Sequence, residues 1–290
     1  MRRGWADARA RVDASPPAAG RRAVRVYVHE GPQVFVRALR FEGATVLSTA
    51  ELTELVESTA RAELPSSPRP DRGYLMPEHT YDPAVYAAAT QRIVEAYRER
   101  GYLDAAVATP LTARVTGPSG PRLEVTFRVT EGPRSFIEEL AFEGNRTRPS
   151  AALARVWAVP LGVPVSYREI GEARVRLADW YRERGHAFAR VEPEVERSPD
   201  HTRARLRVVV HEGPRVRVGR VEVRGARAVL PSVVRARLAL AEGDTFSLSA
   251  VRASQRQLYE LGIFSAVNVG LEDGDVEAPV KTLLVRVVEE

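Results

Sequence analysis

Five histidines are the side chains of this chain best suited to proton transfer or metal binding: His29, His79, His186, His201 and His211. None sits in a ligand-spaced pair. His29 and His211 each stand directly before a Glu-Gly-Pro triplet, where Thr130 stands before a third such triplet. A position that accepts threonine equally well reads as a strand end on the surface, not as a catalytic base. Glu138-Glu139 is the one adjacent carboxylate pair on a predicted strand, and neighbours on a strand point to opposite faces. With no cysteine, thiolate metal sites and disulfides are excluded. No GxSxG, HExxH or phosphate-loop pattern is present. Trp157, Trp180 and Tyr181 fall at helical spacing and are predicted to be core. The expectation is a protein without catalytic residues, metal or cofactor.

Charge narrows the classes further. The net charge is +5, and Lys281 is the only lysine, so nearly all the positive charge is arginine. Those arginines alternate with acids, as in Tyr97-Arg98-Glu99-Arg100 and Tyr181-Arg182-Glu183-Arg184. That pattern is a solvated surface more than the continuous basic stripe of a nucleic-acid binder. No apolar run approaches the length of a membrane helix. Residues 1–23 are polar and arginine-rich, with no apolar stretch of the signal-peptide type.

What the sequence does carry is repetition. Glu-Gly-Pro recurs at 30–32, 131–133 and 212–214. A second glycine follows twelve residues after each first one, pairing Gly31 with Gly43, Gly132 with Gly144 and Gly213 with Gly225. A third glycine, Gly101, Gly185 or Gly262, ends a helical pattern in each unit. Landmarks in fixed order mean a tandem array of one small fold, which works as an extended surface.

Each unit reads as β-α-α-β-β. Val34 to Phe41 predicts the first strand, with Leu140 and Phe142, then Val221 and Val223, as its counterparts. Ser48-Thr49-Ala50-Glu51 and Ser166-Tyr167-Arg168-Glu169 have capping-box spacing, and Pro83, Pro149 and Pro231 mark other helix starts. In the last unit the first helix is expected to carry Val233, Val234 and Leu238 on its apolar face. Gly101, Gly185 and Gly262 fit the left-handed position that stops a helix. Two strands then close each unit: 103–111 with 123–131, 188–197 with 204–212, and 265–271 with 280–289. The expected fold is α+β, a small mixed sheet with two helices on one face. The expected boundaries are 31–131 with an inserted loop at 65–80, 132–212 and 213–290. Residues 1–30 read as the closing half of a preceding unit, and the chain reads as part of a longer protein. The short junctions at Pro133 and Pro214 imply restricted hinges.

The β-α-α-β-β order, the Phe-Glu-Gly close of the first strand and the run Leu258-Tyr259-Glu260-Leu261-Gly262-Ile263-Phe264-Ser265-Ala266-Val267 resemble the POTRA domains of the Omp85 superfamily, which includes BamA-type outer-membrane assembly factors. The resemblance covers three full units and half of another. It implies a periplasmic arm ahead of an outer-membrane barrel that is absent from this sequence. It also implies binding of unfolded outer-membrane polypeptides, periplasmic chaperones and accessory lipoproteins, with contact to the membrane surface possible and no nucleic acid. A translocation-type or TamA-like branch of the same superfamily is the alternative, and a nucleic-acid-binding repeat is a distant one. A three-stranded sheet leaves edges unpaired, and an extended client can add to an edge through backbone hydrogen bonds. The expected acceptor strands follow Gly101, Gly185 and Gly262, at Val107 and Ala108, Ala189 and Val191, and Val267 and Val269. Phe264 joins the glycines as a repeat landmark.

Overall fold

The computed structural model describes residues 9–14, 24–29, 35–64, 67–68, 74–75, 79–117 and 120–289. Gly31, most of the 65–80 insertion and the Pro118-Ser119 turn lie outside them. The chain divides into two compact units, Met1–Arg134 and Ser135–Glu290.

The first unit opens with an antiparallel pair, β1 (Arg9–Ala14) and β2 (Val24–His29), in which Arg9 lies opposite His29. One full repeat follows: β3 (Phe35–Glu42), α1 (Thr49–Glu63), the two-residue strands β4 (Ser67–Pro68) and β5 (Tyr74–Leu75), α2 (Pro83–Glu99), β6 (Ala106–Val107), β7 (Leu111–Gly117) and β8 (Gly120–Thr130). The second unit holds two more repeats. They are β9 (Phe136–Glu143), α3 (Ser150–Trp157), α4 (Tyr167–Arg182), β10 (Arg190–Arg197) and β11 (Arg203–His211), then β12 (Arg217–Arg224), α5 (Pro231–Arg235), α6 (Leu248–Tyr259), β13 (Phe264–Leu271) and β14 (Val280–Glu289).

In every repeat the last strand is central. It pairs in parallel with the first strand and antiparallel with the strand before it. Two helices carry the chain across to the far edge of the sheet, where the antiparallel edge strand precedes the central one. Each first strand also bulges, at Val36/Ala38, beside Ala204/Arg205 and at Val218/Val221. The β9 bulge leaves both Glu138 and Glu139 exposed, each beside its own arginine, Arg203 or Arg205. A regular strand would have sent them to opposite faces.

Helix starts follow their caps. Ser48 and Glu51 form the full capping box, and Asp82 accepts from Ala84 ahead of Pro83. Ser166 accepts from the Glu169 amide, which is half of the expected box. The helix expected to reach Leu238 stops at Arg235. It has no side-chain cap and its middle is Val233-Val234, two residues that favour helix poorly, so it makes little more than one turn.

One face of each sheet is buried beneath the helices. Val208 on β11 and Leu153, Trp157, Leu177 and Tyr181 on α3 and α4 are fully buried. Each such aliphatic side chain contributes about 2 kcal/mol. Trp180 departs from the expected core position. It is half-buried, edge-on to Tyr181, with Arg184 over its ring at 3.9 Å. Val24, Val26 and Val28 on β2 are exposed, although their repeat counterparts Leu206, Val208 and Val210 are buried.

The glutamate of the repeated triplet ties the closing strand to the loop after the first strand. Glu131 accepts from the Thr45 amide at 2.7 Å, the Val46 amide at 2.9 Å and the Tyr97 hydroxyl at 2.8 Å. Glu212 accepts from the Thr147 amide and hydroxyl and from the Tyr181 hydroxyl at 3.0 Å. In the last repeat Leu258 replaces the tyrosine, and Glu289 takes the Arg227, Ala228 and Val229 amides instead. Burial raises the Glu131 pKa, but the hydrogen bonds from Thr45, Val46 and Tyr97 outweigh it and bring it down to about 2.

Within the second unit the two repeats share an interface. Phe188, from the first of them, packs in the core of the other with Val216, Phe246 and Val251. The Glu183 carboxylate accepts from the Ser249 amide at 2.8 Å and from the Ser247 and Ser249 hydroxyls, so it caps α6 from outside its own repeat. Arg252–Asp179 at 3.0 Å and Arg190–Glu277 at 2.7 Å flank that contact.

Candidate functional site: the strand edges

The sheets, four-stranded in the first repeat and three-stranded in the other two, each have two edges, and these are not equivalent. Along β9 and β12 the loop between the helices covers the first half. Ile137 donates to Val163 and Gly162 donates to Ile137, while Val218 donates to Asp244 and Gly243 donates to Val218. The Val221 amide on β12 is taken by the Glu242 carboxylate at 3.1 Å. The opposite edges are formed by β6 and β7, by β10 and by β13.

Residues on an antiparallel edge alternate between ladder-bonded and outward-facing. In the last repeat the outward positions are marked by Val267. Its amide donates to the Tyr259 hydroxyl at 3.1 Å and its carbonyl accepts from the Gln255 amide at 2.8 Å. Val269, two residues on, faces outward too. The matching partners on the central strands place Val191 and Pro193 outward on β10. Proline has no amide to donate, so the β10 edge is interrupted there, and Glu192, Glu194 and Glu196 crowd it with charge. In the first repeat the Ala108 amide donates to the Arg128 carbonyl. Val107 therefore faces outward and Ala108 inward. Past Thr109-Pro110 the edge resumes as β7, seven residues without an internal proline, with outward positions at Thr112 and Arg114.

The sequence profile of POTRA, described as surface antigen variable number repeat, matches residues 34–132, 135–213 and 216–290. The chain belongs to the POTRA family. Its POTRA repeats are similar to the outer membrane protein assembly factor BamA of Nitratidesulfovibrio vulgaris, 26% identical over 93% of this chain and 34% of that protein. They are also similar to BamA of Neorickettsia risticii, 24% identical over 92% of this chain and 34% of that protein. The chain thus spans about a third of the length of these relatives. In fold it is similar to a crystal structure of POTRA3-5 of Haemophilus influenzae BamA, at a TM-score of 0.57 and 20% identity, covering 88% of this chain and 96% of that one.

The POTRA frame puts the six expected acceptor residues in unequal places. Val107, Val191, Val267 and Val269 lie at outward backbone positions, although the side chains of Val191, Val267 and Val269 are buried. Ala108 lies one residue past β6 and its amide is spent in the ladder. Ala189 precedes β10, is fully buried, and its carbonyl accepts from Arg182 at 3.1 Å. The expectation that the strand after Gly101 runs from 103 to 111 is corrected: it is β6, a break at Pro110, and then β7. Thus β7 was missed, and Pro110 was the signal that could have found it.

The histidines do not converge. His211 faces Glu277 at 2.9 Å on an exposed strand end, and His186 contacts the Gly213 carbonyl at 3.1 Å. His201 sits in a turn at φ 58°, its carbonyl accepting from Ser135. Among the described residues no group of three acidic or histidine side chains is arranged to hold a metal ion.

Proposed function

We propose that this chain is the periplasmic POTRA arm of an Omp85-type outer-membrane assembly protein, and that it holds extended segments of unfolded outer-membrane polypeptides by strand addition. The observation that carries the reading is β7, a proline-free edge of seven residues at the border of a sheet whose interior is already satisfied. Its sequence, Leu-Thr-Ala-Arg-Val-Thr-Gly, bears a single charge, and Leu111 is 49% exposed. Backbone pairing along such an edge is indifferent to client sequence, which suits many clients. The similarity to BamA proteins supports the outer-membrane setting. Periplasmic chaperones and accessory lipoproteins belong to the same proposal as partners that deliver clients or dock on the arm.

The test is an amide NMR titration of the labelled chain with peptides from outer-membrane β-strands, against scrambled peptides, helical peptides and a short RNA. Strand peptides should shift β7 amides most. Silence with every strand peptide, or larger shifts with RNA, overturns the proposal.

A further inference from the structure

Tyr259 belongs to the most specific sequence run of the chain, yet the core does not absorb it. Its side chain is 45% exposed. Its hydroxyl accepts from the Val267 amide at 3.1 Å, while the Gln255 side chain donates to the Val267 carbonyl at 2.8 Å. The Tyr259 hydroxyl also makes a longer contact to the same carbonyl, at 3.5 Å. An acceptor on the outward amide and a donor on the outward carbonyl of a single edge residue are what a neighbouring strand would present. Two side chains of α6 thus imitate a strand.

The other repeats lack the device. Counting from Gly101, Gly185 and Gly262, the counterparts of Gln255 and Tyr259 are Val94 and Arg98, then Ala178 and Arg182. Valine and alanine cannot donate. In the middle repeat the short Ala178 leaves a groove of about 230 Å³ between α4 and β10, lined by Val175, Arg182, Val191 and Glu192.

We infer that β13 is a second acceptor for an extended polypeptide segment, held shut by Gln255 and Tyr259 in place of that segment. Val267 and Val269 form its outward positions, and β13 carries neither charge nor proline along its eight residues. Val251, Ser254 and Leu258 are the buried residues that anchor α6, whereas Gln255 beside them is half-buried and Tyr259 is exposed, so the two plugging side chains sit at the rim of the core and not in it. A client gains the same two hydrogen bonds that it displaces, so it competes with the plug. This inference rests on strand addition as the arm's function.

The experiment compares the full chain with its Tyr259→Phe and Gln255→Ala/Tyr259→Phe variants, using amide hydrogen exchange and the same strand-peptide titration. Tyr259→Phe keeps the ring and removes only the hydroxyl, so it reports even where the double variant is poorly folded. The Val267 amide should be protected in the parent and exchange faster in both variants. Peptide binding at Val267 and Val269 should tighten about tenfold or more in the double variant, the effect of removing two competing hydrogen bonds. The β7 response should stay unchanged. Equal β13 shifts in parent and variants, or a β7 response without any gain at β13, overturn the plug and leave the proposed function standing. Silence at both edges in every form overturns both.

Discussion

Gly43, Gly144 and Gly225 show how one residue type can be demanded twice at one place. All three have positive φ, at +80°, +78° and +94°. A Cβ on each would lie 2.3, 2.2 or 2.0 Å from the carbonyl oxygen of Val129, Val210 or Val287. Both the backbone conformation and the space exclude a side chain. Gly144→Ala should therefore destabilise the second unit by about 3 kcal/mol, read as a shift of the urea midpoint. The glutamates are different. Their spacing was legible in the sequence, but their task was not, because Glu131 meets Thr45 across 86 positions of chain and local pattern carries no such information. Glu131→Gln should cost about 1.5 kcal/mol at pH 7, at the low end for charged hydrogen bonds since the site is partly solvated. Its pH dependence has a fixed sign. The folded pKa, about 2, lies below the usual 4.5, so the carboxylate's contribution is complete above pH 4.5 and fades as pH falls toward 2. Stability measured across that window should show parent and variant converging at the acid end. A constant gap would show that the charge is not what matters.

At the scale of elements, the order of strands and helices was legible because every unit repeats the same glycines and apolar periods. What was not legible was where an edge is open. Pairing partners decide which amides face outward, and a one-residue bulge reverses that choice. The strands after Gly101 and Gly185 carry Ala108 and Ala189 as expected acceptors, and the pairing gives neither an open amide: that of Ala108 is used in the ladder, and that of Ala189, just before β10, donates to the His186 carbonyl. Prolines then divide the edges, Pro110 before β7 and Pro193 within β10. Substitution with proline at an outward position follows as a test. Thr112 lies opposite Val125 and its amide faces away from the ladder. Thr112→Pro should leave the folding transition within about 0.5 kcal/mol, as for a surface change that spends no ladder bond. It should abolish strand-peptide shifts on β7 in the NMR titration. Unchanged peptide binding would place the client elsewhere. The converse change, Pro193→Val, restores the missing amide on β10 and should make that edge responsive to strand peptides, both at Val191 and at the substituted position itself.

Across the molecule, repeats of about 80 residues are small enough that each core is marginal alone, so what joins them matters to stability. Within Ser135–Glu290 the joint is made of core and not merely of linker. Phe188 is 9% exposed and contacts the valine core of the following repeat, the Val216 amide donates to the Gly185 carbonyl at 2.8 Å, and Glu183 caps α6 from the neighbouring repeat. Gly185 is held to glycine by that joint, since a Cβ there would lie 2.7 Å from Thr245 and 2.9 Å from Arg215. These contacts give an array of nearest-neighbour terms, in which cooperativity depends on the interface energy relative to each repeat's own. Removing a buried phenylalanine side chain costs about 3–5 kcal/mol, comparable to the stability of a small repeat. In the parent chain, the slowest-exchanging amides of β11 and β14 should therefore open together, with one shared free energy. In Phe188→Ala they should split, with β14 opening at lower free energy than β11, because the cavity falls in the core of the last repeat. Native-state hydrogen exchange at rising denaturant reads both values on one sample. A parent in which β11 and β14 already open separately would reduce the joint to a contact between independent repeats.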